Sequence, residues 1–195
     1  MNAGAVEHRL ILGGQRSGKS RQAETLAAQW LAGGEHRRAL LVATAQAHDD
    51  EMRERIERHR EDRASRVPRM ETVEEPLALA AVLHGHSARD TLIVVDCLTL
   101  WLTNLLMPAS PAVAGAARDG ESAQTLVDAL LQALDEAAGP VVLVGNEIGL
   151  GVIPLGGETR AFVDALGRLN QQVAAHCERV TLMVAGCPLQ LKGSR

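Results

Sequence analysis

Two short stretches of the sequence hold residue types whose spacing can do chemistry. The first, GGQRSGKS at 13–20, fits G-x-x-x-x-G-K-[ST]. Glycines at Gly13, Gly14 and Gly18 let backbone N–H groups turn inward around phosphate oxygens, with Gln15, Arg16 and Ser17 completing the loop. Lys19 follows where it can reach β- and γ-phosphates, and the Ser20 hydroxyl where it can ligate Mg2+. The second stretch, DDEMRERIERHREDR at 49–63, is charged at nearly every position, as a solvated helix laced with ion pairs would be. Met52, Ile56 and His59 nevertheless fall at i, i+4 and i+7, so the spacing predicts His59 on the apolar stripe of a helix. Such a histidine is either half-buried for packing or capping, or placed there for its chemistry. The spacing leaves both readings open.

A phosphate loop needs a strand before it and a helix after it, whose positive N-terminus faces the phosphates. RLILG (9–13) supplies the strand, and a helical pattern over about 18–31 supplies the helix. Four more continuous apolar runs follow: ALLVAT (39–44), TLIVVD (91–96), VVLVGN (141–146) and RVTLMVAG (179–186). Continuous runs suit strands buried on both faces of a parallel sheet. Helical patterns separate them at about 48–63, 76–84, 98–107, 121–138 and 159–176. This alternation predicts an α/β fold of the P-loop NTPase type, a mostly parallel β-sheet with helices on both faces. We expect a single nucleotide-binding domain over 1–195, with residues 1–8 a loose tail and 107–122 a surface excursion rich in Ala, Pro, Gly and Ser.

TLIVVD ends on Asp96, where a P-loop domain wants a carboxylate to hold Mg2+ through its water shell. An aspartate that merely caps the next helix would occupy the same place. NEIGLGVIP (146–154) is a glycine-rich loop after another strand, where doubly wound folds bind ligands, and it offers Asn146 and Glu147 to an acceptor.

Composition closes off several classes. One Phe, two Trp and no Tyr leave no stacking platform for single-stranded nucleic acid. A net charge of −4 gives no general attraction to polyphosphate backbones or anionic membranes. Three cysteines without a CxxC pair suggest neither a disulfide framework nor a zinc site. No stretch reaches the ~18–20 apolar residues of a membrane span, and no signal-peptide run is present, so a cytoplasmic location is the expectation.

Taken together, GGQRSGKS, ATAQAHDDEMRERIERHREDR (43–63), VEEP (73–76), VVDCLTLWLTNLL (94–106), VGNEIGLGVIP (144–154) and RAFVDALGRLNQQVA (160–174) resemble one family. It is the bifunctional adenosylcobinamide kinase/adenosylcobinamide-phosphate guanylyltransferase of cobalamin biosynthesis. The resemblance implies two reactions on one substrate. The aminopropanol hydroxyl of adenosylcobinamide is phosphorylated with ATP or GTP; GMP from GTP is then joined to that phosphate, giving adenosylcobinamide-GDP and pyrophosphate. The second reaction passes through a histidine that carries GMP. Of the seven histidines only His59 lies in the matching H-R-x-D-R block, with His48 the nearest rival. Neutral imidazole is a competent nucleophile. The resemblance also places Thr44, Ala45, Gln46, Arg60, Glu61, Asp62, Arg63 and Glu74 against the nucleotide, Ser20 and Asp96 on Mg2+, and three chains in a homotrimer. For the charged members of this set, a surface ion pair is the bland alternative.

Two other readings keep the phosphate loop: a P-loop small-molecule kinase without the guanylyltransferase step, or a nucleotide switch. The chain has no N/T-K-x-D guanine motif, which counts against the switch.

Overall fold

The structure, a computed structural model, describes residues 6–47, 50–107 and 122–193. The elements run β1 (Arg9–Gly13), α1 (Lys19–Ala32), β2 (Arg38–Ala43), α2 (Asp50–Arg66), β3 (Met70–Glu74), α3 (Leu79–His86) and β4 (Thr91–Asp96). They continue with α4 (Leu98–Leu106), α5 (Ala123–Asp135), β5 (Val141–Val144), α6 (Gly157–His176), β6 (Arg179–Val184) and β7 (Cys187–Lys192). One seven-stranded sheet takes the order β3-β2-β4-β5-β1-β6-β7, parallel throughout except for β7. Its five inner strands are the five continuous apolar runs. Alternate residues of these strands feed opposite faces: Leu10 and Leu12 pack with α3, α4, α5 and α6, while Ile11 packs with Ala23, Ala27 and Leu31 of α1. Helices therefore cover both faces, as the sequence predicts.

Both edge strands escape a search for apolar runs. In β3 only Met70 is buried, and β7 is open to solvent along nearly its whole length. Edge strands with one side unpaired need no continuous apolar run, and Pro188 costs β7 nothing on its free side.

The tail reading also needs correcting at its inner end. His8 is 7% exposed, its N–H donates to Glu178, and its carbonyl accepts from the N–H groups of Glu178 and Arg179. Arg179 also binds Glu7 at 2.9 Å, so the chain is tied down before β1 begins. Of the 107–122 excursion, Met107 is exposed and Ser122 caps α5, its hydroxyl accepting from the Thr125 N–H at 3.2 Å. The intervening residues, like Met1–Ala5, His48 and Asp49, lie outside the described residues.

Parallel strands deliver their C-terminal ends to one edge of the sheet. That edge carries Gly13 at the end of β1, Thr44 after β2, Asp96 at the end of β4 and Asn146 after β5. One strand, β5, intervenes between β1 and β4, which sets Asp96 roughly 10 Å from the β1 end across the sheet. The helix α2 is the outlier: no described side chain along it is buried. Its described side chains reach half-burial only at Met52, Ile56 and Arg63, along one face.

Candidate active site

Gly13 turns the chain out of β1 at φ +151°, and a Cβ there would meet Met183 O at 2.5 Å and Ser17 Oγ at 2.7 Å. Gly18, at φ +100°, opens α1 from a left-handed conformation that glycine alone adopts freely. Between them Gly14, Gln15 and Arg16 are exposed, whereas Ser17 is buried. Lys19 sits at the bottom of the loop, 8% exposed, its Nζ donating to the carbonyls of Gly13 at 2.8 Å and Gly14 at 2.6 Å. Burial holds its ammonium below the ordinary lysine range, with the negative charge of Asp96 among the groups opposing that shift. A desolvated ammonium at the foot of such a loop has the chemistry to hold a phosphate.

Asp96 is half-buried at the end of β4, in register with Ala43 of β2 and Val144 of β5. It lies within electrostatic reach of Lys19, Glu24 and Arg63. The N-cap of α4 is Cys97, with no side-chain capping bond. A hydroxyl and a carboxylate are hard oxygen donors that suit Mg2+. Among the described residues no group of three or more His, Cys, Asp or Glu is placed to hold a metal ion. A Mg2+ ion at Ser20 and Asp96 would therefore take its other ligands from phosphate and water, as this ion commonly does.

The β2 end is braced from within. Thr44 is fully buried; its hydroxyl donates to the Cys97 carbonyl at 2.8 Å and accepts from the Cys97 N–H at 2.8 Å. Asn104 adds a bond to the Thr44 carbonyl at 2.9 Å and another to Pro76 at 3.1 Å. The Thr44 side chain is thus spent on holding β2 beside β4, and the half-buried Ala45 and Gln46 are the residues this brace presents beyond the strand.

On α2, His59 is exposed rather than turned toward a core. The stripe of Met52, Ile56 and His59 continues at the same spacing to Arg63 and Arg66, and these two arginines face Glu24 of α1. Arg66 Nη1 donates to Glu24 Oε2 at 2.6 Å, and Arg63 is half-buried beside Glu24 and Asp96. The C-terminal end of the stripe is thus tied to α1 and lies within electrostatic reach of the β4 end. Arg60 pairs with Glu74 of β3, Asp62 pairs with Arg66 at 3.1 Å, and Glu61 is exposed. In VEEP, the second carboxylate serves α3: Glu75 Oε1 accepts from the N–H groups of Leu77 and Ala78.

The loop after β5 is rooted in the same edge. The Gly145 N–H donates to Ile11 O at 2.9 Å, and the Glu147 N–H to Gly13 O at 3.1 Å. The Asn146 N–H donates to Thr99 Oγ1 at 2.8 Å, and Asn170 Nδ2 donates to the Asn146 carbonyl at 3.1 Å. Beyond this root Leu150, Val152, Ile153 and Leu155 are 78–97% exposed. Glu24 and Arg66 are the members of the cluster that sequence motifs do not reveal. The one available signal for Glu24 was its spacing with Ala27 and Leu31, which puts it on the inward face of α1.

The chain matches the family model described as cobinamide kinase / cobinamide phosphate guanyltransferase over residues 9–191. It is 51% identical over 185 residues to the bifunctional adenosylcobalamin biosynthesis protein CobP of Pseudomonas aeruginosa, covering 94% of this chain and 96% of that protein. It is 36% identical over 187 residues to the bifunctional adenosylcobalamin biosynthesis protein CobU of Escherichia coli, with 94% and 98% covered. Among solved structures, the flagellar accessory protein FlaH of Methanocaldococcus jannaschii superposes with a TM-score of 0.51 at 11% identity, covering 96% of this chain and 79% of that one. This last likeness is one of fold.

Proposed function

The chain belongs to the cobinamide kinase / cobinamide phosphate guanyltransferase family, and from that premise we propose that its two reactions share the phosphate loop and that His59 carries the guanylyl group. In the kinase reaction the loop N–H groups and Lys19 hold the triphosphate of ATP or GTP while the aminopropanol hydroxyl of adenosylcobinamide attacks the γ-phosphorus in line. In the transferase reaction GTP binds in the same loop. A nitrogen of the His59 imidazole forms a bond to the α-phosphorus as the bond to the bridging β-phosphate oxygen breaks. Pyrophosphate leaves with the electron pair, and the imidazole proton passes to solvent. An oxygen of adenosylcobinamide phosphate then attacks the same phosphorus, the P–N bond breaks as the imidazole takes a proton back from solvent, and neutral His59 is restored.

Mg2+, held by Ser20 and Asp96, would supply charge neutralisation on the phosphates. Lys19 neutralises the departing pyrophosphate, and Arg63 adds a positive charge one helical turn from His59. Ala45, Gln46, Arg60, Glu61, Asp62 and Glu74 belong to the nucleotide side in this reading, with Thr44 fixing the strand beneath them. Asn146 and Glu147 belong to the acceptor side. A cytoplasmic homotrimer completes the proposal, and the largely exposed α2 supports the assembly; sedimentation equilibrium tests it.

The observation that carries the reading is the shared face of α2, on which His59 stands one turn from an Arg63 that sits beside Asp96 and Glu24. Incubation with α-labelled GTP tests it. A guanylyl-histidine leaves label on the protein that survives base, is lost in acid, and is released as adenosylcobinamide-GDP when adenosylcobinamide phosphate is added. Absence of protein-bound label during turnover would overturn the covalent route.

A further inference from the structure

We propose that Glu24 is a positioning residue for guanylyl transfer: by holding Arg66, it sets the face of α2 that carries His59 over the phosphate loop. The proposal rests on the histidine reading above. Glu24 lies in the second turn of α1, five residues beyond Lys19, and is 7% exposed. Its neighbours on that inward face are the small apolar side chains of Ala23 and Ala27. Burying a carboxylate there costs free energy that an apolar residue would not, unless the charge is paired. The pairing is supplied by α2: Arg66 at 2.6 Å, with Arg63 adding a second positive charge nearby.

Met52, Ile56 and Arg63 of the helix are half-buried, so its other holds are shallower than the tie to the buried Glu24. No described side chain of α2 is buried, Val67 anchors the chain just past its end, and the Arg60–Glu74 pair is solvent-exposed. Arg66, Arg63 and His59 follow one face at i, i−3 and i−7. At 1.5 Å per residue His59 stands ~10 Å along the axis from Arg66, so a tilt of ~10° about that anchor displaces the imidazole by about 2 Å. Misplacement of a reacting group by ~1 Å can cost on the order of 100-fold in rate. The kinase reaction makes no use of His59 and should feel the tilt far less, only through the nucleotide contacts that α2 supplies.

The test compares Glu24→Gln, Arg66→Ala and the double variant with the wild type and with His59→Ala. Three quantities are read: the single-turnover rate of labelling by α-labelled GTP, kinase turnover with ATP and adenosylcobinamide, and the melting midpoint. Glu24→Gln keeps the side-chain shape, and Arg66 is far enough from the core for truncation to leave the fold intact, so one variant remains informative if the other fails to fold. Each single variant should slow labelling at least ~10-fold while kinase turnover stays within about threefold, and the double variant should be no slower than the worse single one, because both remove the same contact. Labelling at the wild-type rate in a folded Glu24→Gln or Arg66→Ala protein overturns the proposal. Equal loss of both activities also overturns it, since Glu24 would then serve the shared nucleotide site. Label that persists in His59→Ala overturns the histidine reading itself, and the positioning role falls with it.

Discussion

Lys19 and Glu147 meet on one oxygen: the Gly13 carbonyl accepts from Lys19 Nζ at 2.8 Å and from the Glu147 N–H at 3.1 Å. The clamp lysine and the root of the β5 loop are thereby fixed to the same peptide. A phosphate that draws Lys19 forward loosens one of two bonds on that carbonyl, while the backbone bond keeps the loop in place.

Lys19→Ala removes the clamp from both triphosphates. Both activities should fall by at least ~100-fold, the scale of losing one preorganised group that stabilises developing charge. Parallel assays of adenosylcobinamide phosphorylation and of protein labelling by α-labelled GTP decide the matter. Survival of either near the wild-type level would mean that the two reactions use separate triphosphate sites.

Gly13→Ala tests the loop's backbone. The new methyl would sit 2.5 Å from the Met183 carbonyl, and the residue would have to hold φ +151°. Backbone cannot retreat as a flexible side-chain end can. A loss of roughly 2 kcal/mol or more in unfolding free energy is expected, measured by urea denaturation. A fully stable variant would show that β6 can shift away from the loop.

Much of this was legible in the sequence, for a physical reason that also marks where legibility ends. A continuous apolar run reports burial on two faces, so β1, β2, β4, β5 and β6 stood out. The edge strands β3 and β7 bury little and left no such trace. Periodicity found the stripe through Met52, Ile56 and His59, but the same period serves a helix facing a core and one facing a cleft. Only the fold shows that Arg63 and Arg66 extend the stripe to Glu24 of α1. Glu24 stayed hidden because a lone glutamate on an amphipathic helix is usually solvated, and its partner Arg66 lies 42 residues away.

Asp96→Asn addresses the metal. The change preserves shape while removing the charge beside Lys19, Glu24 and Arg63. The Mg2+ concentration for half-maximal kinase activity should rise roughly 10- to 100-fold, as it does when a metal's outer partners are lost. A superimposable Mg2+ titration would return Asp96 to a role at the α4 terminus.

His8 gives the fold a dependence on pH. Burial lowers its pKa, with Glu178 and Asp135 opposing the shift, and its Nδ1 has no hydrogen-bond partner. The unfolded chain takes up the proton more readily than the folded one, so the unfolded state binds more protons as pH falls. Stability tied to this residue is therefore fully present above about pH 6.5, the usual histidine value, and is lost as pH drops through the lower folded value. Melting curves from pH 8 to 5 should fall more steeply for the wild type than for His8→Asn. Parallel curves would place the acid sensitivity elsewhere.

His59→Ala separates the two reactions. Phosphorylation of the hydroxyl is a direct in-line attack that Lys19, Ser20 and Asp96 support, whereas guanylyl transfer by the proposed route has no path without the imidazole. The exposed side chain makes no packing contribution, so the variant should melt with the wild type. Protein labelling by α-labelled GTP and formation of adenosylcobinamide-GDP should both disappear, while adenosylcobinamide phosphate accumulates from ATP. Acid-labile label retained by the variant would move the nucleophile to another histidine, with His48 next in line. Loss of phosphorylation as well, in a folded variant, would mean that His59 helps to build the nucleotide site that both reactions share.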